Sequence, residues 1–185
     1  MRLEAIFNPS LQQAVFRATL QAQSYPGLAA ALPQAVDGKD AHRALLSALL
    51  DAEVSLADPE NLLSAETDWP FLEARRASVE QADFILAEGA RPRLLAPRLG
   101  TLSEPEQSAT LVLRLADAEN AMQTRLHLSG PGIREPRTVA VNGLHPEWIK
   151  QRNDWVASFP LGVDLFLVGS FGVIALPRTT HVGVQ

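Results

Sequence analysis

Hydrophobic positions in the first half of the chain recur mainly at helical spacing. Leu11, Ala14, Val15, Ala18 and Ala22 fall on one face, with Phe16 and Leu20 on an adjoining stripe. This spacing predicts a helix from Leu11 to about Gln23, capped by Ser10 and ended by Ser24-Tyr25-Pro26-Gly27, where proline cannot continue the helix and glycine permits the reversal. After a turn at Asp37-Gly38-Lys39-Asp40, the apolar pairs Ala44-Leu45 and Ala48-Leu49 predict a second helix from Ala41 to about Leu50, with Asp40 as its cap. A short extended piece follows over Glu53–Ala57. Asp68-Trp69-Pro70 reads as the start of a brief helix through Ala74. The compact run Ala82–Ala87, closed by Glu88-Gly89, has the profile of a buried strand.

The second half changes period. Leu111, Leu113 and Leu115 alternate against Arg114, and Met122, Thr124, Leu126 and Leu128 alternate with Gln123, Arg125 and His127. With Asp117–Asn120 as the turn, the two runs predict a hairpin, from which Gly130-Pro131-Gly132-Ile133 exits into a loop. His145-Pro146-Glu147 begins a helix to about Ala157, with Trp148, Ile149, Trp155 and Val156 as its buried residues. Val163–Val168, a glycine-bearing turn over Gly169–Gly172, and Val173–Leu176 then read as strand, turn and strand. The expectation is an α/β fold over residues 1–185: a single domain with a mixed sheet flanked by helices and largely hairpin-connected in its second half. No repeat or linker divides it.

Composition narrows the function. The chain has 185 residues, 46% hydrophobic and 20% charged, which suits one domain with a real core and argues against disorder. No apolar run approaches the roughly 20 residues of a membrane span, and Met1–Pro9 is a poor secretory signal, so a soluble, cytoplasmic protein is expected. The absence of cysteine removes disulfides and thiolate chemistry, and a net charge of −5 argues against nucleic acid. Only Lys39 and Lys150 could carry a Schiff base.

Familiar catalytic signatures are missing: no nucleophile elbow, no Walker loop, no dinucleotide fingerprint and no zinc-protease motif. The histidines His42, His127, His145 and His181 are scattered singly, so no metal site is expected. Gly130-Pro131-Gly132 fits a plain turn better than a phosphate cradle. Asp164 is the odd acid in an apolar strand and demands a partner, an arginine or backbone amides, with Arg17 as one possibility. The cluster that stands out is Arg178-Thr179-Thr180-His181. It sets a guanidinium, two hydroxyls and an imidazole at a strand exit, equipment suited to gripping an oxyanion, although such a segment can equally serve packing.

Three segments taken together carry a resemblance. They are Phe16-Arg17…Leu20…Ala22…Ser24…Pro26-Gly27, then Leu128-Ser129-Gly130-Pro131-Gly132-Ile133, then Phe159–Leu165 leading to Leu176-Pro177-Arg178-Thr179-Thr180-His181-Val182. In that order and spacing the chain resembles the H subunit of the bacterial carbon–phosphorus lyase system. The resemblance implies a fold like the large domain of pyridoxal-phosphate-dependent transferases, without the cofactor. It implies a homodimer that also assembles with the G, I and J subunits. It further implies participation in displacing adenine from ATP by a phosphonate, giving a ribose 1-phosphonate 5-triphosphate. On that basis Arg178, Thr179, Thr180 and Arg17 are candidate anion-binding residues, and His181 is a candidate proton donor to the leaving base. The alternative is a structural adaptor that binds no nucleotide. In either case no activity is expected from the isolated chain.

Overall fold

A computed structural model describes residues 5–115 and 121–185 of the protein. Helix α1 (Pro9–Ser24) starts two residues earlier than its apolar spacing suggests. Asn8, not Ser10, is the cap: its side-chain oxygen accepts the Ser10 N–H at 2.9 Å, and Pro9 occupies a first-turn position where its missing N–H costs nothing. Small buried residues, Ala18 and Ala22, let α1 lie close against α2 (Ala41–Leu49). Asp40 does not cap α2. Asp37 caps the preceding short turn through Lys39 N–H at 3.2 Å, and Asp40 pairs instead with Arg43 at 3.1 Å. Asp68 likewise makes no cap to α3 (Trp69–Leu72), because its buried carboxylate accepts Ser64 N–H at 2.8 Å and pairs with Arg43.

The centre of the molecule is a six-stranded sheet. Strands β1 (Ser55–Ala57), β2 (Arg75–Arg76), β3 (Phe84–Glu88), β4 (Thr110–Arg114), β7 (Asp164–Gly169) and β8 (Gly172–Leu176) lie in the order β2-β1-β3-β4-β7-β8. All neighbours are parallel except β7 and β8, which form the expected hairpin. A second, antiparallel sheet of three strands has β5 (Gln123–Ser129) between β6 (Arg137–Asn142) and β9 (His181–Val184).

Side chains of the large sheet divide strictly by parity. Leu86, Val112, Phe166, Val168, Val173 and Ala175 face α1 and α2, packing with Val15, Leu45 and Leu46. Ile85, Leu111, Leu113, Leu165, Leu167, Ile174 and Leu176 face the other way. They pack against Leu126, Leu128 and Val141 of the small sheet and Trp148 and Ile149 of α4 (Glu147–Trp155). The result is three layers with apolar cores on both faces of a mainly parallel sheet, the setting in which strands read as continuous apolar runs.

That setting explains what the hydrophobic pattern misassigned. The hairpin predicted between residues 110–115 and 122–128 does not form. β4 is buried on both faces, with Val112 opposite in direction to Leu111 and Leu113, and it sits between β3 and β7 in parallel register (Thr110 beside Asp164). β5 alternates buried and exposed positions because only one of its faces is covered, and its hairpin partner is β6, a segment to which the apolar pattern assigns no element. β9 was also unforeseen. The turn assigned to Asp117–Asn120 lies outside the described residues. In α4, Trp148 and Ile149 are fully buried, whereas Trp155 and Val156 are half-buried.

His42 on α2 is a core histidine. Burial, followed by the nearby Arg114 and Arg43 charges, pushes its pKa down to about 4, and its Nε2 has no hydrogen-bond partner. The neutral form is therefore built into the fold, while the unfolded chain takes up a proton near pH 6.5. Stability tied to this residue is intact above pH 6.5 and is lost as pH falls towards 4. Urea unfolding at pH 7, 5.5 and 4.5 should show a His42→Leu variant losing less stability than the wild type on acidification, by on the order of 2–3 kcal/mol. Parallel losses in both proteins would contradict this origin.

Candidate functional site

The chain leaves β8 at Leu176, turns over Pro177–Thr180 and returns as β9. Thr180 N–H closes the turn on the Pro177 carbonyl at 2.9 Å. Asp164, at the start of β7, accepts the backbone N–H of Arg178 on Oδ1 at 2.8 Å and the Arg178 Nη2 on Oδ2 at 2.9 Å. The partner that an acid in this strand requires is thus Arg178, supplying both a guanidinium and an amide. Arg17 is not that partner, since it is exposed on α1. Arg178 Nη1 also donates to the carbonyls of Pro105 at 2.8 Å and Pro160 at 3.3 Å, and Nη2 donates to Ser108 Oγ. The guanidinium expected to grip a ligand is occupied by protein acceptors and works as a tie.

A second arginine approaches the same turn from α4. Arg152 Nη2 donates to the Pro177 carbonyl at 2.6 Å and Nη1 to Asn153 Oδ1 at 3.2 Å; Asn153 in turn donates to the Val182 carbonyl at 2.8 Å. Arg152 is only 1% exposed and forms no ion pair among the described residues. Burial pushes its pKa down to about 10, an effect partly offset by the Asp164 charge, so the guanidinium stays protonated at neutral pH. Its Nε has no partner. The neighbouring Thr180 hydroxyl is buried and unpartnered as well. Asp164 is shared electrostatically between two arginines, which leaves net positive charge under the turn.

These groups line one open cavity of about 860 Å³. One wall comes from His127 and Ser129 of β5, another from Arg152, Asn153 and Val156 of α4 and the exposed Phe159, and the floor from residues 178–183. Gly130 lets the walls close, because a Cβ there would stand 2.9 Å from the Thr179 carbonyl. Four sequence candidates therefore meet in one place: Arg178, Thr179, Thr180 and the exposed His181. Arg17 does not join them. Lys39 and Lys150 are exposed and outside this cavity, each in a surface ion pair with Asp37 and Glu147 respectively.

Arg152 was missed by sequence reasoning, although a signal existed. It stands four residues after Trp148 and three after Ile149, on the buried stripe of the helix, where an arginine is out of place. A second hollow of about 690 Å³ lies beyond the carboxyl ends of β1 and β3. There Arg114 pairs with Glu88 and Arg93 donates to the Pro59 carbonyl at 3.2 Å, while the buried Glu60 Oε1 has no hydrogen-bond partner.

The fold and this cavity define an α/β domain with an open groove lined by Arg152 and Arg178. Residues 7–183 match the family model described as bacterial phosphonate metabolism protein (PhnH), and the chain belongs to that family. It is 43% identical over 180 residues to the putative C-P lyase subunit protein HtxG of Stutzerimonas stutzeri, covering 97% of this chain and 90% of that protein. It is also 36% identical over 87 residues to the alpha-D-ribose 1-methylphosphonate 5-triphosphate synthase subunit PhnH of Rhizobium meliloti (strain 1021), covering 45% of this chain and 41% of that one. Among the described residues no helix is long and apolar enough to cross a membrane.

If Arg178 is a tie and not a free ligand group, its removal strands a partly buried carboxylate. Arg178→Ala and Asp164→Asn should each lower stability in urea unfolding by about 2–4 kcal/mol, and the double variant should cost clearly less than their sum. Additive small effects would show that the pair is not coupled.

Proposed function

We propose that this protein is a subunit of a carbon–phosphorus lyase assembly, required with partner subunits for transferring a phosphonate onto the ribose of ATP. In that reaction a phosphonate oxygen forms a bond to the anomeric carbon, the bond from that carbon to adenine breaks, and the base leaves with a proton. The product is a ribose 1-phosphonate 5-triphosphate. The observation that carries this reading is the match to the phosphonate-metabolism family over residues 7–183, reinforced by the names of the two relatives.

Under this reading the protein works in the cytoplasm as a homodimer and within a complex containing the G, I and J subunits. Its central sheet corresponds to the large domain of pyridoxal-phosphate-dependent transferases, used without that coenzyme. The groove over Thr179, Thr180 and His181 faces the anionic reactants. The two threonine hydroxyls orient an oxyanion, and His181, exposed at the rim, gives a proton to departing adenine. Arg178 holds the turn that presents them. A transition state with positive charge on the ribose ring gains from an anion fixed beside it. The adaptor alternative draws support from Arg178 alone, whose guanidinium bonds are all internal.

The test is restoration of function. In a host lacking its own homologue, this protein should restore growth on methylphosphonate as sole phosphorus source. The purified chain alone should release no adenine from ATP and methylphosphonate, while the reconstituted complex should. A His181→Ala variant should slow adenine release by the complex about 10²-fold, in keeping with loss of a general acid. Unchanged turnover would leave the adaptor role for this segment.

A further inference from the structure

Arg152 and Thr180 share a peculiarity: each is 1% exposed, and each has polar atoms that nothing in the protein satisfies. A guanidinium carries five N–H donors. For Arg152 only the Pro177 and Asn153 oxygens receive them, and Nε is wholly unpartnered. The Thr180 hydroxyl has no partner of any kind. The two residues are adjacent, because the Pro177 carbonyl accepts both Arg152 Nη2 at 2.6 Å and Thr180 N–H at 2.9 Å. Both line the same open cavity. Buried polar groups left unmet destabilise a fold, and they persist where a ligand completes them.

We infer that Arg152 and Thr180 form the anchor of a binding site for a tetrahedral phosphorus oxyanion, seated in the cavity between α4, β5 and β9. Charge supports this ligand class. Asp164 is engaged by Arg178 through both oxygens, so one carboxylate faces two guanidinium charges, and an incoming anion balances the excess. Geometry supports it too, since a planar guanidinium fork and a hydroxyl donate to separate oxygens of one tetrahedral group. Asn153 is bound to the Val182 carbonyl and holds the wall in place. The exposed His127 and His181 stand at the opening. That the anion contains phosphorus rests on the transfer reaction proposed above; the anion site itself rests on the unmet donors.

Two groups in the reaction have this chemistry, the phosphonate and the triphosphate of ATP, and binding measurements separate them. Calorimetry and thermal melting would use methylphosphonate, inorganic phosphate and tripolyphosphate as probes, with the full chain and with the reconstituted complex. Tighter binding of methylphosphonate marks a phosphonate seat; tighter binding of tripolyphosphate marks a triphosphate seat. Arg152→Met should weaken the preferred probe tenfold or more, while the unliganded melting temperature stays level or rises, because a buried unpaired charge has been removed. Thr180→Val, nearly the same shape, should weaken it about threefold with the same neutral or positive effect on melting. The inference is overturned if no probe binds either preparation. It is equally overturned if the variants bind like the wild type, or if they melt lower with binding unchanged. Growth on methylphosphonate reports the transfer role separately: binding without growth sinks that role and leaves the site, and growth without binding does the reverse.

Discussion

The carboxylate of Asp164 is the constraint from which the rest of the site follows. It stands at the first residue of β7 and takes both the amide and the guanidinium of Arg178. That double grip fixes the turn after β8. The turn in turn decides where β9 can run and which side chains reach the cavity. A carboxylate in this position would be costly if alone, and the arginine removes that cost by giving up its own freedom to bind anything else. Charge is thus settled within the tie, and the uncompensated guanidinium is the neighbour on α4.

Much of this was legible from residue order, with instructive exceptions. The hairpin of β7 and β8 was readable because Gly169–Gly172 interrupts two apolar runs. The need for a partner at Asp164 was readable from the chemistry of a buried acid, but its identity was not, since proximity across a turn cannot be derived from composition. The polar cluster at 178–181 was correctly placed together. Its roles divided only once the hydrogen bonds were known. Arg152 is a different case: it lies on the helical stripe that Trp148 and Ile149 mark, and the usual exposure of a charged side chain hides it there.

Misreading β4 had a single physical origin. The leucines of this segment alternate, but Val112 between them faces a second apolar layer. A strand covered on both sides carries no period of two, so parallel neighbours cannot be inferred from it. β5, with one face in water, carries that period cleanly and was read well as a strand, though paired to the wrong mate. Its mates are β6, the next strand along the chain, and β9, which arrives from the far end of the sequence.

The placement of β7 between β4 and β8 bears on biogenesis. Nearly fifty residues, including strands β5 and β6 of the second sheet, are synthesised after β4 and before β7 emerges. Throughout that interval β4 offers a bare, two-sided apolar edge, the kind of surface that invites association with other chains. Closure of such long-range parallel pairing is slow. Pairing with β7 is what removes that edge, so the sheet is completed only when the last third of the chain is present.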